Sequence, residues 1–255
     1  MGEIDLDRAQ AALGVRWRLV YHREVDSTMT VARALAEAGA PAGTVVLADA
    51  QTAGRGRMGR SWVSTAGGNL YFTAILRPPL AVLRQLAMIA PLAVAEGIET
   101  VSDLHAEIKW PNDVQIDGLK VSGVLIDAEV CGDEPALALV GIGINVNFDT
   151  TTVPELRGLA TSLRERLGRP LVREGVLAGV LSRLSVLIDE CERGGSARER
   201  WRSRLNTLGQ AIRLRAGEIV ETGVALDVTE DGGLILERSD GSPAVFAAGE
   251  VTLRA

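Results

Sequence analysis

The sequence predicts an α+β chain: a large unit of strands and helices followed by a small all-β barrel. Three observations carry that reading. Apolar and β-branched runs at 69–76, 121–130 and 136–145 alternate with stretches of helical spacing. After Leu208-Gly209 the pattern changes to short strand candidates separated by turn signals. The chain has 255 residues, 47% of them hydrophobic, enough to bury one large domain and one small one. The boundary falls near Leu208, so the expected units are 1–208 and 209–255.

The elements follow in order. Asp26, Ser27 and Thr28 stand before apolar Val31, Ala34, Leu35 and Ala38, an N-cap leading into helical spacing that stops at Gly39. Residues 44–47 are β-branched and apolar, hence a strand. Residues 51–60 have no hydrophobic period and three glycines, hence a loop. The strand at 69–76 ends before Pro78-Pro79, and a long apolar helix is expected over 81–101. Short strands are expected at 106–109 and 114–116, with Asp117-Gly118 as a hairpin turn into 121–130 and then 136–145. Helices are expected over 172–191 and 196–205. Short strands at 211–215, 220–228, 234–237, 245–247 and 251–254 complete the barrel.

Composition removes several classes of function. A net charge of −6 gives no global reason to bind nucleic acid, so any basic site is local. In the terminal segment acidic residues outnumber arginines, which argues against a basic barrel surface. Cys131 and Cys191 are too few and too isolated for a disulfide scaffold or a metal site, and read as thiols of a reducing compartment. The acidic N-terminus lacks the apolar core of a signal peptide. The longest apolar run, 86–95, contains Pro91 and falls short of the ~20 residues that span a bilayer. The expectation is a cytoplasmic protein without a membrane partner.

Three segments carry chemistry. In 51–62, Gly54, Gly56 and Gly59 fit a G-x-G-x-x-G pattern, but no helix pattern follows, so the dinucleotide reading fails. Arg55, Arg57 and Arg60 repel one another across a glycine-softened loop, which should stay mobile until an anion arrives. Arginine's planar fork suits phosphate or carboxylate, so the loop reads as a clamp. In the second segment, Lys109 and the Asn112-Asp113 pair flank a stiff Trp110-Pro111 corner. Asn112 and Asp113 offer oxygen ligands suited to Mg²⁺ beside a phosphate chain. Lys120 begins a strand just past the hairpin, from where it can reach inward to a carboxylate. In the third segment, Gly141 and Gly143 interrupt a β-branched strand, which is costly unless something approaches the backbone closely; a simple bulge is the alternative. Asn145 follows as a candidate reader of an adenine edge.

Together these segments resemble the biotin–protein ligase family, from about residue 21 to the C-terminus. Asp26-Ser27-Thr28, the 54–60 loop, 109–113, 120–123 and 141–145 occur in the family's order and at similar spacing. The resemblance implies a mixed sheet flanked by helices, of the class II synthetase-like biotin–lipoate ligase core, with a C-terminal SH3-like barrel. It implies that Ser27, Thr28 and Gln51 hydrogen-bond biotin. Gly54, Arg55 and Arg57 match the loop over biotin and the adenylate phosphate, with Arg60 beside them on the nucleotide side. Trp62 helps the loop close. Lys120 is the catalytic lysine near the biotin carboxyl, and Gly123 lies beside it. Asn112 and Asp113 sit near the ATP phosphates and Mg²⁺, and Asn145 beside adenine. Two departures stand out: Met58 replaces an arginine of some relatives, and no tryptophan follows Asn147 to stack on adenine. Leu159 or a neighbour is the expected substitute.

The implied reaction has two steps, biotin plus ATP to biotinyl-5'-AMP, then transfer to a lysine of a biotin carboxyl carrier domain. Only about twenty residues precede Tyr21, too few for a three-helix DNA-binding module, so no DNA partner is expected. The expected assembly is a monomer or a weak homodimer through a sheet edge. His22 and His105 lie outside the motifs and read as structural or surface residues. The rivals are a lipoate–protein ligase, whose arginine-arginine segment with a glycine triplet is missing, a non-catalytic biotin or nucleotide sensor, and a nucleic-acid binder.

Overall fold

The computed structural model describes residues 4–130 and 136–253. Cys131 and the last residue of the strand expected at 251–254 lie outside them.

The chain opens with helix α1 (Leu6–Leu13), capped by the Asp5 side chain, and strand β1 (Arg18–Val25). Neither is expected from the sequence. Helix α2 (Thr28–Glu37) starts where expected, with Ser27 accepting from the Met29 amide at 3.3 Å. Strand β2 (Thr44–Gln51) runs four residues further than expected and so carries Gln51 at its end. Strand β3 (Leu70–Leu76) follows the loop. The long helix expected over 81–101 is two pieces, α3 (Leu80–Leu83) and α4 (Leu86–Glu99). At the break, Gln85 stands at the N-cap of α4 and its Oε1 accepts from the Ala197 amide at 3.0 Å.

Strands β4 (Glu107–Lys109), β5 (Asp113–Ile116), β6 (Leu119–Glu129) and β7 (Leu137–Ile144) form a meander. Its tight turn is Asp117-Gly118, with φ of 50° and 75°, the positive values that a two-residue hairpin needs. Short helix α5 (Leu163–Leu167) is set by a capping box between Ser162 and Glu165. Helix α6 (Arg173–Glu192) matches expectation, whereas α7 (Arg198–Arg202) covers only half of the expected 196–205.

Seven strands make one mixed sheet in the order β1-β2-β3-β7-β6-β5-β4, with β1 parallel to β2 and the other pairs antiparallel. Alternation along the strands splits the side chains between two layers. Val45, Leu47, Phe72 and Val140 join α1, α4 and α6 in the main core, while Val46, Ile75 and Leu139 pack under α2. Helix α4 is buried along most of its length, each buried Leu or Ile contributing roughly 1.5–3 kcal/mol. The site lies on the thinner α2 side.

The remaining strands, β8 (Ala211–Ala216), β9 (Ile219–Val228), β10 (Leu234–Arg238), β11 (Pro243–Phe246) and β12 (Glu250–Leu253), form a separate antiparallel sheet ordered β11-β10-β9-β8-β12. This is the expected SH3-like unit. Trp110 ties it to the larger sheet: its indole Nε1 donates to the Gly232 carbonyl at 2.9 Å. Among the described residues no helix is long and apolar enough to cross a membrane.

Candidate functional site

A pocket opens on the α2 face over β6 and β7. It is floored by Gly123, Leu125, Gly141, Ile142 and Gly143 and roofed by the arginine loop. Of the candidate residues, Ser27, Thr28, Gln51, Arg55, Arg57, Arg60, Trp62, Asn112, Asp113, Lys120, Gly123 and Asn145 all line it. Gly54 does not. It is buried, where a Cβ would fall 2.7 Å from the Trp62 carbonyl and 2.8 Å from Ser64 Oγ. Its part is to let the loop fold closely on itself.

At the inner end, the Thr28 amide and hydroxyl both donate to Gln51 Oε1, at 2.9 and 3.2 Å. Thr73 donates to the Thr28 hydroxyl from below. Gln51 Nε2 donates to Ser64, which leaves a second amide proton for a ligand. Thr28 and Thr73 are buried, Gln51 and Ser64 half-buried, and all are mutually oriented, so they offer fixed donors to a neutral polar head. Met29 and Leu125 supply an apolar wall beside them.

The loop is a small hairpin. Arg55 pairs with Ser61, the Trp62 amide donates to the Gly54 carbonyl at 2.9 Å, and Met58 and Gly59 turn the chain at φ of 56° and 74°. The expected repulsion of the three arginines is relieved by divergence. Arg55 donates to Thr30, Arg57 to Asn112 Oδ1 at 2.9 Å, and Arg60 pairs with Glu250 of β12. Burial lowers the pKa of Arg57, with Arg60 acting in the same sense and Asp113 against it. An arginine remains a cation at neutral pH despite this, now a partly dehydrated one. A dehydrated guanidinium is a stronger anion ligand than a solvated one.

The glycines in β6 and β7 are explained by Trp62. A Cβ on Gly143 would lie 2.6 Å from the indole, and one on Gly123 2.9 Å from it. A Cβ on Gly141 would meet Met29 Sδ at 2.8 Å. The close approach read from the sequence is therefore by side chains. The Trp62 Nε1 is buried over Gly143 with no hydrogen-bond partner among the described residues. Lys120 Nζ stands 5.3 Å from the Trp62 ring centroid and 2.6 Å from Asp113 Oδ1, so it does reach a carboxylate.

Not every sequence candidate lies in the pocket lining. Asp113 has one oxygen engaged by Lys120, and no group of three or more His, Cys, Asp or Glu among the described residues could hold a metal. The chain thus fits an ion carried in by a substrate's phosphates better than a site built by protein. Leu159 faces solvent, 66% exposed; its neighbours Leu156 and Ala160 line the pocket instead. Lys109 and Trp110 are not pocket residues. Neither histidine lines the pocket, and exposed His105 pairs with Glu99. Asn145 is buried and its Nδ2 donates to the Thr161 carbonyl, fixing the wall that holds Ala160. Met29, Leu125, Leu156 and Ala160 are lining residues that sequence reading does not single out.

Residues 21–145 match the Biotin/lipoate A/B protein ligase family, and residues 207–254 match the Biotin protein ligase C terminal domain. The bifunctional ligase/repressor of Bacillus subtilis is 37% identical over 235 residues, spanning 90% of this chain and 72% of that protein. The biotin–[acetyl-CoA-carboxylase] ligase of Paracoccus denitrificans is 34% identical, over 88% of this chain and 95% of that one. The biotin protein ligase of Aquifex aeolicus, solved with biotin and ATP, superimposes with a TM-score of 0.78 at 36% identity, over 93% of this chain and 98% of that one. With these likenesses running through both sheets and the pocket, the chain belongs to the biotin–protein ligases of the biotin/lipoate ligase family.

Proposed function

We propose that this chain is an ATP-dependent ligase that forms biotinyl-5'-AMP and transfers biotin to a lysine of a biotin carboxyl carrier domain of a carboxylase. The observation that carries the reading is the meeting, in one pocket, of a neutral polar end at Thr28 and Gln51 with a cationic roof of Arg55, Arg57, Arg60 and Lys120. Biotin has a neutral ureido head and a carboxylate tail, and ATP is a polyanion. The pocket has the matching polarity along its length.

Ser27, Thr28 and Gln51 take the ureido group, and Met29 and Leu125 the apolar chain. Lys120 takes the biotin carboxylate, exchanging or sharing Asp113. Arg55, Arg57 and Arg60 grip the phosphates of Mg-ATP, with Asn112 and Asp113 beside them. Leu156 and Ala160, held by the Asn145 wall, cover the adenine. In the first step a biotin carboxylate oxygen attacks the α-phosphorus, the P–O bond to pyrophosphate breaks, and pyrophosphate leaves. Two anions meet there, so fixed cations lower the barrier. In the second step the carrier amine, having lost its proton to solvent, attacks the acyl carbon; an amide forms and AMP leaves. No protein nucleophile is required. Between the steps the loop and Trp62 keep water from the mixed anhydride.

The same reading takes 1–208 as the catalytic unit and 209–255 as the accessory barrel, and the chain as a monomer or weak homodimer. Pairing of β6 with β5 ends at Gly123 while its pairing with β7 runs on to Glu129, which leaves an outer strand edge beside the pocket for a partner.

Pyrophosphate release from Mg-ATP, with biotin and lipoate supplied separately, tests the reading, followed by acyl transfer to a biotin carrier domain. Release and transfer with biotin alone are expected. Release with lipoate alone would make the chain a lipoate ligase, and release with neither a sensor. Arg57→Ala should speed escape of the adenylate on the order of tenfold while leaving thermal stability within ~1 kcal/mol. Unchanged escape would sink the clamp.

A further inference from the structure

Two openings lead to the same pocket, and they differ in charge: the first is strongly cationic, whereas in the second Glu37 and Asp127 balance Arg33 and Arg55. The first, under the arginine loop, presents Arg55, Arg57, Arg60 and Lys120 against Asp113 alone. The second is a groove between α2 and the outer half of β6. Its walls are two straight rows. On α2, Met29, Arg33 and Glu37 recur every four residues along one face. On β6, Leu125 and Asp127 continue the row of Gly123, two residues apart, and Glu129 extends it. Met29, Leu125 and Arg55 line both cavities, so the groove runs into the pocket. Arg33 bridges the rows, donating to Asp127 at 2.8 Å and Glu129 at 2.7 Å. Glu37, exposed at the outer end, has no ion-pair partner among the described residues.

The ligase reading, on which this inference rests, requires two substrates of opposite charge at one acyl carbon. A nucleotide is drawn to the cationic mouth. A lysine ammonium is repelled there. We propose that the α2–β6 groove is the path by which the acceptor lysine reaches the adenylate, with Glu37 and Asp127 drawing in the ammonium and Met29 and Leu125 packing its methylene stem. Arg33 holds Asp127 and Glu129 in place and limits their pull. Beyond the Met29–Leu125 neck, burial and the nearby cations Arg55 and Lys120 favour the neutral amine, which is the form that attacks.

The test separates the two openings chemically. Adenylate formed from biotin and Mg-ATP is offered either a biotin carrier domain or hydroxylamine, a small neutral nucleophile that needs no acidic guide. In the double variant Glu37→Lys/Asp127→Lys, carrier kcat/KM should fall about tenfold at low salt and recover toward wild type as salt is raised, while hydroxylamine trapping stays within about twofold. Arg33→Gln, which frees both carboxylates, should leave carrier transfer equal to or faster than wild type. Normal carrier transfer in the reversal variant overturns the proposal, as does an equal loss of transfer and trapping, or a loss that salt does not relieve. A wild-type chain that forms no adenylate with biotin removes the ligase reading itself and the acceptor path with it.

Discussion

Two ion pairs of nearly equal length have opposite parts in this molecule. Lys120 and Asp113 meet at 2.6 Å in the pocket wall, with side chains 31% and 28% exposed. Arg173 and Asp49 meet at 2.7 Å at the start of α6, 5% and 8% exposed. In the second pair the free valences are filled: Tyr21 donates to the other Asp49 oxygen at 2.7 Å, and Arg173 also donates to the Asn69 carbonyl at 3.1 Å. In the first, Lys120 has the Trp62 face and the open pocket around it. Distance does not distinguish them; the neighbours do. A pair whose surroundings still admit water or a ligand can exchange its partner for a substrate anion, whereas a fully enclosed pair can only hold elements together.

The most direct way to break the comparison is to remove the exchangeable cation. Lys120→Ala should slow biotin-dependent pyrophosphate release on the order of a thousandfold, because the biotin carboxylate then faces both the phosphates and an unpaired Asp113. Stability should change little at this partly exposed position. Lys120→Arg, which retains charge but moves its centre, should recover only part of the rate. Equal rates in Lys120→Ala and wild type would reduce the pocket pair to a surface salt bridge.

Removing the enclosed carboxylate should do the reverse. Asp49→Ala leaves a buried guanidinium with a lost partner and should cost about 3 kcal/mol of stability, read as a lower urea midpoint. Asp49→Asn keeps an acceptor oxygen for Arg173 and should cost less. Both should retain adenylation kinetics under conditions where they stay folded. A kinetic defect without a stability defect would place Asp49 in the reaction after all.

What the sequence makes legible follows the same division between local and distant causes. The Asp117-Gly118 turn and the Ser27 cap act over a few residues, and each stands where expected. The Ser162–Glu165 capping box is equally local, but it opens a helix of only five residues, too short for hydrophobic periodicity to register. Strand β1 is an edge strand with exposed Arg18, Arg23 and Glu24, so alternation is blurred and its pairing with β2 decides. Trp110 reads as part of the site because its neighbours Asn112 and Asp113 are. Its ring instead turns to the barrel, a contact with Gly232 that no nearby residue announces. Leu156 and Ala160 reach the pocket through a bridge between Lys120 and Ala160, forty residues apart in the chain. Pairings of that kind leave no trace in local spacing.

A third pair sharpens the scale between the two extremes. Arg204 grips Glu99 through both terminal guanidinium nitrogens at 2.7 Å, with side chains 18% and 26% exposed, and joins the end of α4 to the segment leading to the barrel. Burial pushes the Glu99 carboxyl up, but hydrogen bonds from Arg204 and the Ala106 amide, with the charges of Arg204 and His105, outweigh it and hold the pKa below the ordinary glutamate value. The unfolded chain therefore takes up this proton at a higher pH than the folded one. The stability that Glu99 contributes is complete above the unfolded value of roughly 4.3 and fades as pH falls through the lower folded value. Glu99→Gln should cost about 1 kcal/mol at neutral pH, a figure kept small by partial solvent screening, and nothing once the wild-type carboxyl is protonated. Urea midpoints of the two chains should thus converge as pH falls from above the unfolded value of roughly 4.3 through the lower folded value. Parallel curves across that window would show that Glu99 is held no differently from an exposed glutamate, and the graded scale from pocket to core would lose its middle step.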